Sequence, residues 1–122
     1  MPYSSQDLHK KVLGKVGEKL VQKYLKKNGY KILQCNYQTP FGEADIVAEK
    51  DGEIVFVEVK TRTTDHYGAP REAVSKEKQR RYYQIATFYG MQNGGEPNAR
   101  FDVAEVYADK HIEYFENAFW KL

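Results

Sequence analysis

A single cysteine, Cys35, excludes an internal disulfide in a chain of 122 residues. No Cys-His pattern surrounds it, so a thiol nucleophile is not indicated. Its apolar and aromatic neighbours suit an ordinary packed thiol. Long hydrophobic runs are also missing. None approaches the roughly 20 residues of a membrane-spanning helix. The start, Met1-Pro2-Tyr3-Ser4-Ser5, lacks the apolar stretch of a signal peptide. A cytoplasmic location without a membrane partner is expected. No repeat, low-complexity tract or dividing linker occurs, so residues 1–122 are expected to form a single domain.

Charge of one sign is equally absent. Nineteen Lys and Arg against seventeen Asp and Glu leave a formal net charge of +2, too little to name a partner. The distribution says more. Lys10, Lys11, Lys15, Lys19, Lys23, Lys26 and Lys27 load the first segment, and Arg71, Lys76, Lys78, Arg80 and Arg81 a second. Acids concentrate between them and at the end. This pattern suits a polyanion held over an acidic centre. Two solvated helix faces would look the same.

Apolar residues Leu8, Val12, Leu13, Val16, Leu20, Tyr24 and Leu25 recur at helical spacing, predicting a helix over Ser5–Asn28 stopped by Asn28-Gly29. Strands are expected over Tyr30–Gln38, Glu43–Lys50 and Glu53–Thr61. The turn Thr39-Pro40-Phe41-Gly42 and the hairpin signal Asp51-Gly52 separate them. Thr63–Pro70 reads as a loop and Arg71–Met91 as a second helix. Strands at Arg100–Tyr107 and His111–Phe115 follow. The order is helix, three-strand meander, helix, two strands. It predicts an α/β fold with a mixed sheet of about five strands flanked by helices.

Chemistry concentrates in Gly42-Glu43-Ala44-Asp45-Ile46-Val47 and, after the hairpin, Val57-Glu58-Val59-Lys60. Glu58 and Lys60 are two apart and share a strand face. Asp45 lies on the preceding strand, near Glu58 if the register allows. Paired carboxylates beside an apolar run repel each other and raise one another's pKa. A hard divalent cation, Mg²⁺ or Mn²⁺, removes that conflict, polarises a phosphate and acidifies bound water. A lysine beside it can orient the water or neutralise developing charge. Phosphodiester hydrolysis needs each of these parts. A salt-bridge ladder on an exposed sheet face is the structural alternative.

These residues, with Val55-Phe56 before and Thr61-Arg62 after, resemble the YraN-type family of small bacterial proteins. The likeness includes Gly14-Lys15-Val16-Gly17-Glu18, Leu25, Gly29-Tyr30 and Asn36-Tyr37 upstream. Tyr67-Gly68, Lys78 and Arg100-Phe101-Asp102-Val103 continue it downstream. It thus covers nearly the whole chain. That family looks like a branch of the restriction-endonuclease-like superfamily and is similar to archaeal Holliday-junction resolvases. The resemblance implies the corresponding fold and a metal-dependent endonuclease acting on DNA, including branched or junction DNA. Asp45, Glu58 and Lys60 match the signature's two acids and lysine. Ala44 stands where the signature's name has proline. Glu18 and the main-chain carbonyl of Val59 are implied as further metal ligands. A non-catalytic nucleic-acid-binding module, or a dimeric partner protein in DNA processing on the same fold, is the rival. A homodimer is left open.

Read without the resemblance, Glu18 is a helix-surface acid at the border of the apolar stripe. Glu43 shares a face with Asp45 and is read as an outer-shell acid. Arg62, Lys78, Arg80 and Arg81 are candidate phosphate contacts, which position nucleic acid without reading its sequence. Gln79 and Tyr83, four apart, have a spacing found near the lysine of some related nucleases. His66 reads as loop surface. Tyr82, Tyr83, Phe88 and Tyr89 read as core or a dimer face. Arg100 and Asp102 suggest a pair supporting the sheet. Phe115, Phe119 and Trp120 suit a core cover or partner surface.

Overall fold

The computed structural model describes residues 5–62 and 75–118, with side chains from Leu13 onward. Helix α1 covers Ser5–Lys27 and strands β1, β2 and β3 cover Lys31–Thr39, Gly42–Lys50 and Glu53–Thr61. Helix α2 covers Lys76–Gln92, followed by β4 at Ala99–Val106 and β5 at Ile112–Phe115. The expected loop Thr63–Pro70, with His66 and Tyr67-Gly68, lies outside the described residues, as do Phe119 and Trp120.

The turns follow from local chemistry. Gly29 has φ 87°. The Tyr30 amide reaches back to the Leu25 carbonyl at 2.9 Å, and the Gly29 amide to Lys26 at 3.2 Å. This paired closure is the Schellman stop that glycine permits. Asp51 and Gly52 both take positive φ, 50° and 82°, as a two-residue hairpin requires. One boundary differs from the sequence expectation. Ser75 is extended and its side chain accepts from the Lys78 amide, so α2 starts at Lys76; residues 71–74 of the expected helix lie outside the described residues. The serine hydroxyl takes an amide that the first turn leaves unpaired.

The five strands form one sheet in the order β1-β2-β3-β4-β5. The first three are an antiparallel meander. Strand β4 returns parallel to β3 after α2, and β5 closes the far edge antiparallel to β4. Mixed pairing and two helices are as expected. Helix α2 packs Tyr82, Ile85 and Ala86 onto Val47, Phe56, Phe101 and Val103. Helix α1 packs Val21 and Leu25 onto Ile46, Ala48, Val55, Val57, Ala104 and Val106 on the other face. Strand β3 is therefore covered on both faces, which explains its unbroken apolar start.

Gly17 sets how closely α1 approaches the sheet. A Cβ there would lie 2.6 Å from Thr61 Oγ1. On β4, fully buried Asp102 organises a polar network. Arg100 donates to it from Nε at 3.0 Å and Nη2 at 2.8 Å. The Tyr114 hydroxyl donates at 2.6 Å and the Asn117 amide at 2.9 Å. Arg100 also reaches the Tyr30 hydroxyl. Arg100 and Asp102 thus pair as expected, and with Tyr30 and Tyr114 they join β4, β5 and the entry to β1.

Candidate active site

Asp45 stands where β2 leaves regular pairing. The β2–β3 ladder runs from Lys50↔Glu53 to Ile46↔Val57 and stops there. One further step would set Asp45 opposite Glu58. Instead the Val59 amide donates to Asp45 Oδ2 at 2.8 Å. On the other side, β1 pairs through Cys35↔Ile46 and Tyr37↔Ala44, and the intervening Asn36 is left-handed at φ 53°. Ala44 packs in the α2-side core and Ile46 in the α1-side core, although strict alternation would put them together. The strand rolls at Asp45, and its carboxyl turns towards the end of β3.

Glu58 meets it there. The two carboxyls are close enough to hydrogen-bond, and Asp45 is pushed up to about 7. Burial is the main cause. The neighbouring charges of Glu58 and Glu18 add to it, and the Val59 hydrogen bond opposes it. Glu58 is only 7% exposed and pairs with Lys78 Nζ through Oε2 at 2.7 Å. Lys60, half-buried, follows Glu58 on the same strand face by the two-residue period. From α2, Tyr82 is buried against both acids. Its hydroxyl is held well above the usual tyrosine range by burial first and by Glu58 and Asp45 second.

Glu18, on α1, belongs to the same electrostatic neighbourhood. Burial raises its pKa, Lys15 and a hydrogen bond from Asn36 lower it, and the charge of Glu43 raises it again. Glu43 is exposed at the start of β2. Thus Asp45 and Glu58 form a contact pair, Glu18 acts on Asp45 through space, and Glu43 acts on Glu18.

Does this arrangement suit a divalent cation? Among the described residues, no three His, Cys, Asp or Glu side chains close into a metal-holding group. The fold supplies a pair of carboxyl groups at the sheet's end. Oxygen-only donors are what Mg²⁺ prefers, and it is commonly held by one or two carboxylates with waters and phosphate oxygens. Burial and the charges of Glu58 and Glu18 push Asp45 up to about 7, and a cation between the two carboxyls would favour its ionised form. The pair therefore fits a hard divalent ion.

The other candidate positions divide. Arg62 donates from Nε to Glu105 Oε2 at 2.9 Å, and Glu105 is 1% exposed. Arg80 is exposed, and exposed Arg81 sits 3.7 Å from Glu77. Lys78 lies on Glu58 rather than out on the surface. Gln79 is buried, and Tyr83 stacks edge-on against Phe101 at 4.8 Å in the core. Two contributors escaped sequence reasoning. Tyr82 could have been found from its spacing of four after Lys78, which shares its helix face. Asn36 belongs to the family likeness but gave no sign of this role, because its hydrogen bond to Glu18 depends on how α1 crosses the sheet.

Comparison with known proteins agrees with this architecture. Archaeoglobus fulgidus Hjc, a Holliday junction resolvase from an archaeal hyperthermophile, superposes with a TM-score of 0.54 at 22% identity, over 81% of this chain and 72% of that one. The likeness establishes the resolvase-type fold. A UPF0102 protein of Alkaliphilus metalliredigens is 46% identical over 112 residues, covering 89% of this chain and 98% of its own. One from Thermodesulfovibrio yellowstonii is 46% identical over 108 residues, 88% of this chain and 96% of its own. One from Clostridioides difficile is 41% identical over 114 residues, 92% of this chain and all of its own. Residues 17–106 match the family as a whole, and the chain belongs to the uncharacterised protein family UPF0102.

Proposed function

We propose that this protein is a divalent-metal-dependent endonuclease that hydrolyses phosphodiester bonds in DNA, with branched or junction DNA as the preferred substrate. The observation carrying the proposal is the contact between Asp45 and Glu58 at the end of β3, with Lys60 following on the Glu58 face. The junction preference rests on fold likeness to a protein described as a Holliday junction resolvase.

Asp45 and Glu58 would hold Mg²⁺ or Mn²⁺, with the Val59 carbonyl and Glu18 as further donors. The bound ion would supply polarisation of the scissile phosphate and acidification of a water. The chain's own residues do the rest. The Val59 amide holds the Asp45 carboxyl in place. The Lys60 ammonium orients the attacking water and offsets charge developing on the phosphate. Arg80 and Arg81, exposed on the first half of α2, contact the DNA backbone and set its position.

The test is cleavage of labelled duplex, single-stranded, flap and four-way-junction DNA with Mg²⁺ and with Mn²⁺. Wild type is compared with Asp45→Asn and Lys60→Ala. Metal-dependent cleavage that falls at least about 100-fold in both variants while DNA binding persists is expected. No cleavage with either metal, alongside binding that survives both substitutions, would leave a DNA-binding module on a nuclease fold.

A further inference from the structure

Lys78 is the feature that the metal-site reading does not absorb. Its ammonium lies 2.7 Å from Glu58 Oε2, on one of the two acids proposed to hold the metal. The lysine comes from a different element, the first turn of α2. There its own amide is tied to the Ser75 hydroxyl at 3.1 Å. The backbone is thus fixed by the helix cap while the side chain crosses to the strand. The Glu58 side chain is 10% exposed and that of Lys78 is 29% exposed. A carboxylate so buried requires a counter-charge. The lysine, partly open to solvent, can give up the contact and be taken by water.

We propose that Lys78 is a built-in counter-cation. It occupies the cation's place beside Glu58 in the metal-free protein and must withdraw when a divalent ion binds. This rests on the metal-site reading above. An ammonium on Glu58 and a divalent cation compete for the same carboxylate, and their like charges oppose each other at close range. Lys78 therefore lowers the site's metal affinity while it stabilises the empty fold. It sets the ion concentration at which the site fills. The tethered lysine contact is an intramolecular equilibrium that raises the apparent Kd for the free ion.

The test is Mn²⁺ titration by calorimetry and by water-proton relaxation, on the full chain, with melting measured in chelator and in Mn²⁺. Wild type is compared with Lys78→Met and with Lys76→Met. The latter removes the same charge from an exposed position two residues away. Lys78→Met is expected to bind Mn²⁺ about tenfold more tightly than wild type, to melt lower in chelator, and to gain more from added Mn²⁺. Lys76→Met should stay within about twofold of wild type, as expected for a screened surface charge. Equal or weaker Mn²⁺ binding in Lys78→Met, with wild type binding normally, overturns the counter-cation role and leaves the metal site standing. If neither wild type nor Lys78→Met binds Mn²⁺, the metal-site reading falls and this proposal with it. Binding that appears only in Lys78→Met supports the proposal in its strongest form.

Discussion

The Asp45 carboxyl accepts the Val59 amide at 2.8 Å, so the acid of β2 is fastened to β3 midway between Glu58 and Lys60. One hydrogen bond replaces the ladder pairing that stops at Ile46↔Val57 and fixes where the acid sits relative to its neighbours. The consequence can be separated from charge. Asp45→Asn keeps an oxygen for the Val59 amide, whereas Asp45→Ala removes it. The alanine variant should be less stable than the asparagine variant by about 1–2 kcal/mol in urea unfolding. Both should lose cleavage equally. Equal stability of the two would show that the hydrogen bond contributes nothing.

Asp45 also predicts a pH dependence. Its pKa rises from 3.8 to about 7 on folding. Between those values the folded chain binds more protons here than the unfolded chain does. The contribution of Asp45 therefore lowers stability as pH rises through this window, by at most about 1.4 kcal/mol per pH unit, and levels off above 7. Asp45→Asn should flatten that slope in metal-free melts from pH 5 to pH 8. Metal binding requires the deprotonated carboxyl, so Mn²⁺ affinity should rise with pH up to about 7. A slope identical in wild type and Asp45→Asn would place the titration elsewhere.

The Asp102 network makes a stability prediction that does not involve the contact between Asp45 and Glu58. Asp102 is fully buried and receives Arg100, Tyr114 and the Asn117 amide. Asp102→Ala strands the Arg100 guanidinium and leaves those donors unsatisfied. A loss of about 3–5 kcal/mol is expected in chemical denaturation. Asp102→Asn should lose less, since it keeps two acceptor sites on its oxygen. A loss below about 1 kcal/mol for the alanine variant would mean that water substitutes freely.

Gly17 supplies a prediction with an internal control. Alanine in mid-helix normally gains about 1 kcal/mol over glycine. Here its Cβ would stand 2.6 Å from Thr61 Oγ1, with Val106 next at 3.7 Å. Gly17→Ala should therefore destabilise by about 1–3 kcal/mol as α1 is pushed off the sheet. Adding Thr61→Ala should recover most of that loss in a double-mutant cycle, because it removes the one close atom. Purely additive losses would mean that the two residues do not meet.

Periodicity and turn chemistry made much of this protein readable from its sequence. The 3.6-residue spacing from Leu13 to Leu25 marks α1, and Gly29 ends it because a left-handed residue was needed there. Asp51-Gly52 joins β2 to β3 with two residues, which fixes the register and brings Asp45 level with Glu58. The two-residue strand period puts Glu58 and Lys60 on one face. These are local rules, and they suffice for the elements and for the core of the acid cluster. What only the tertiary structure decided depends on packing between elements far apart in the chain. Lys78 reads as a phosphate contact until α2 is laid across the sheet, and there it reaches Glu58. Glu18 finds Asn36 only because Gly17 lets α1 come close and Asn36 turns left-handed in β1. The start of α2 moved to Lys76 because one serine hydroxyl found the Lys78 amide. Sequence spacing determines which face a side chain takes on its own helix or strand. Which residue it meets there is set by the docking of one buried surface on another.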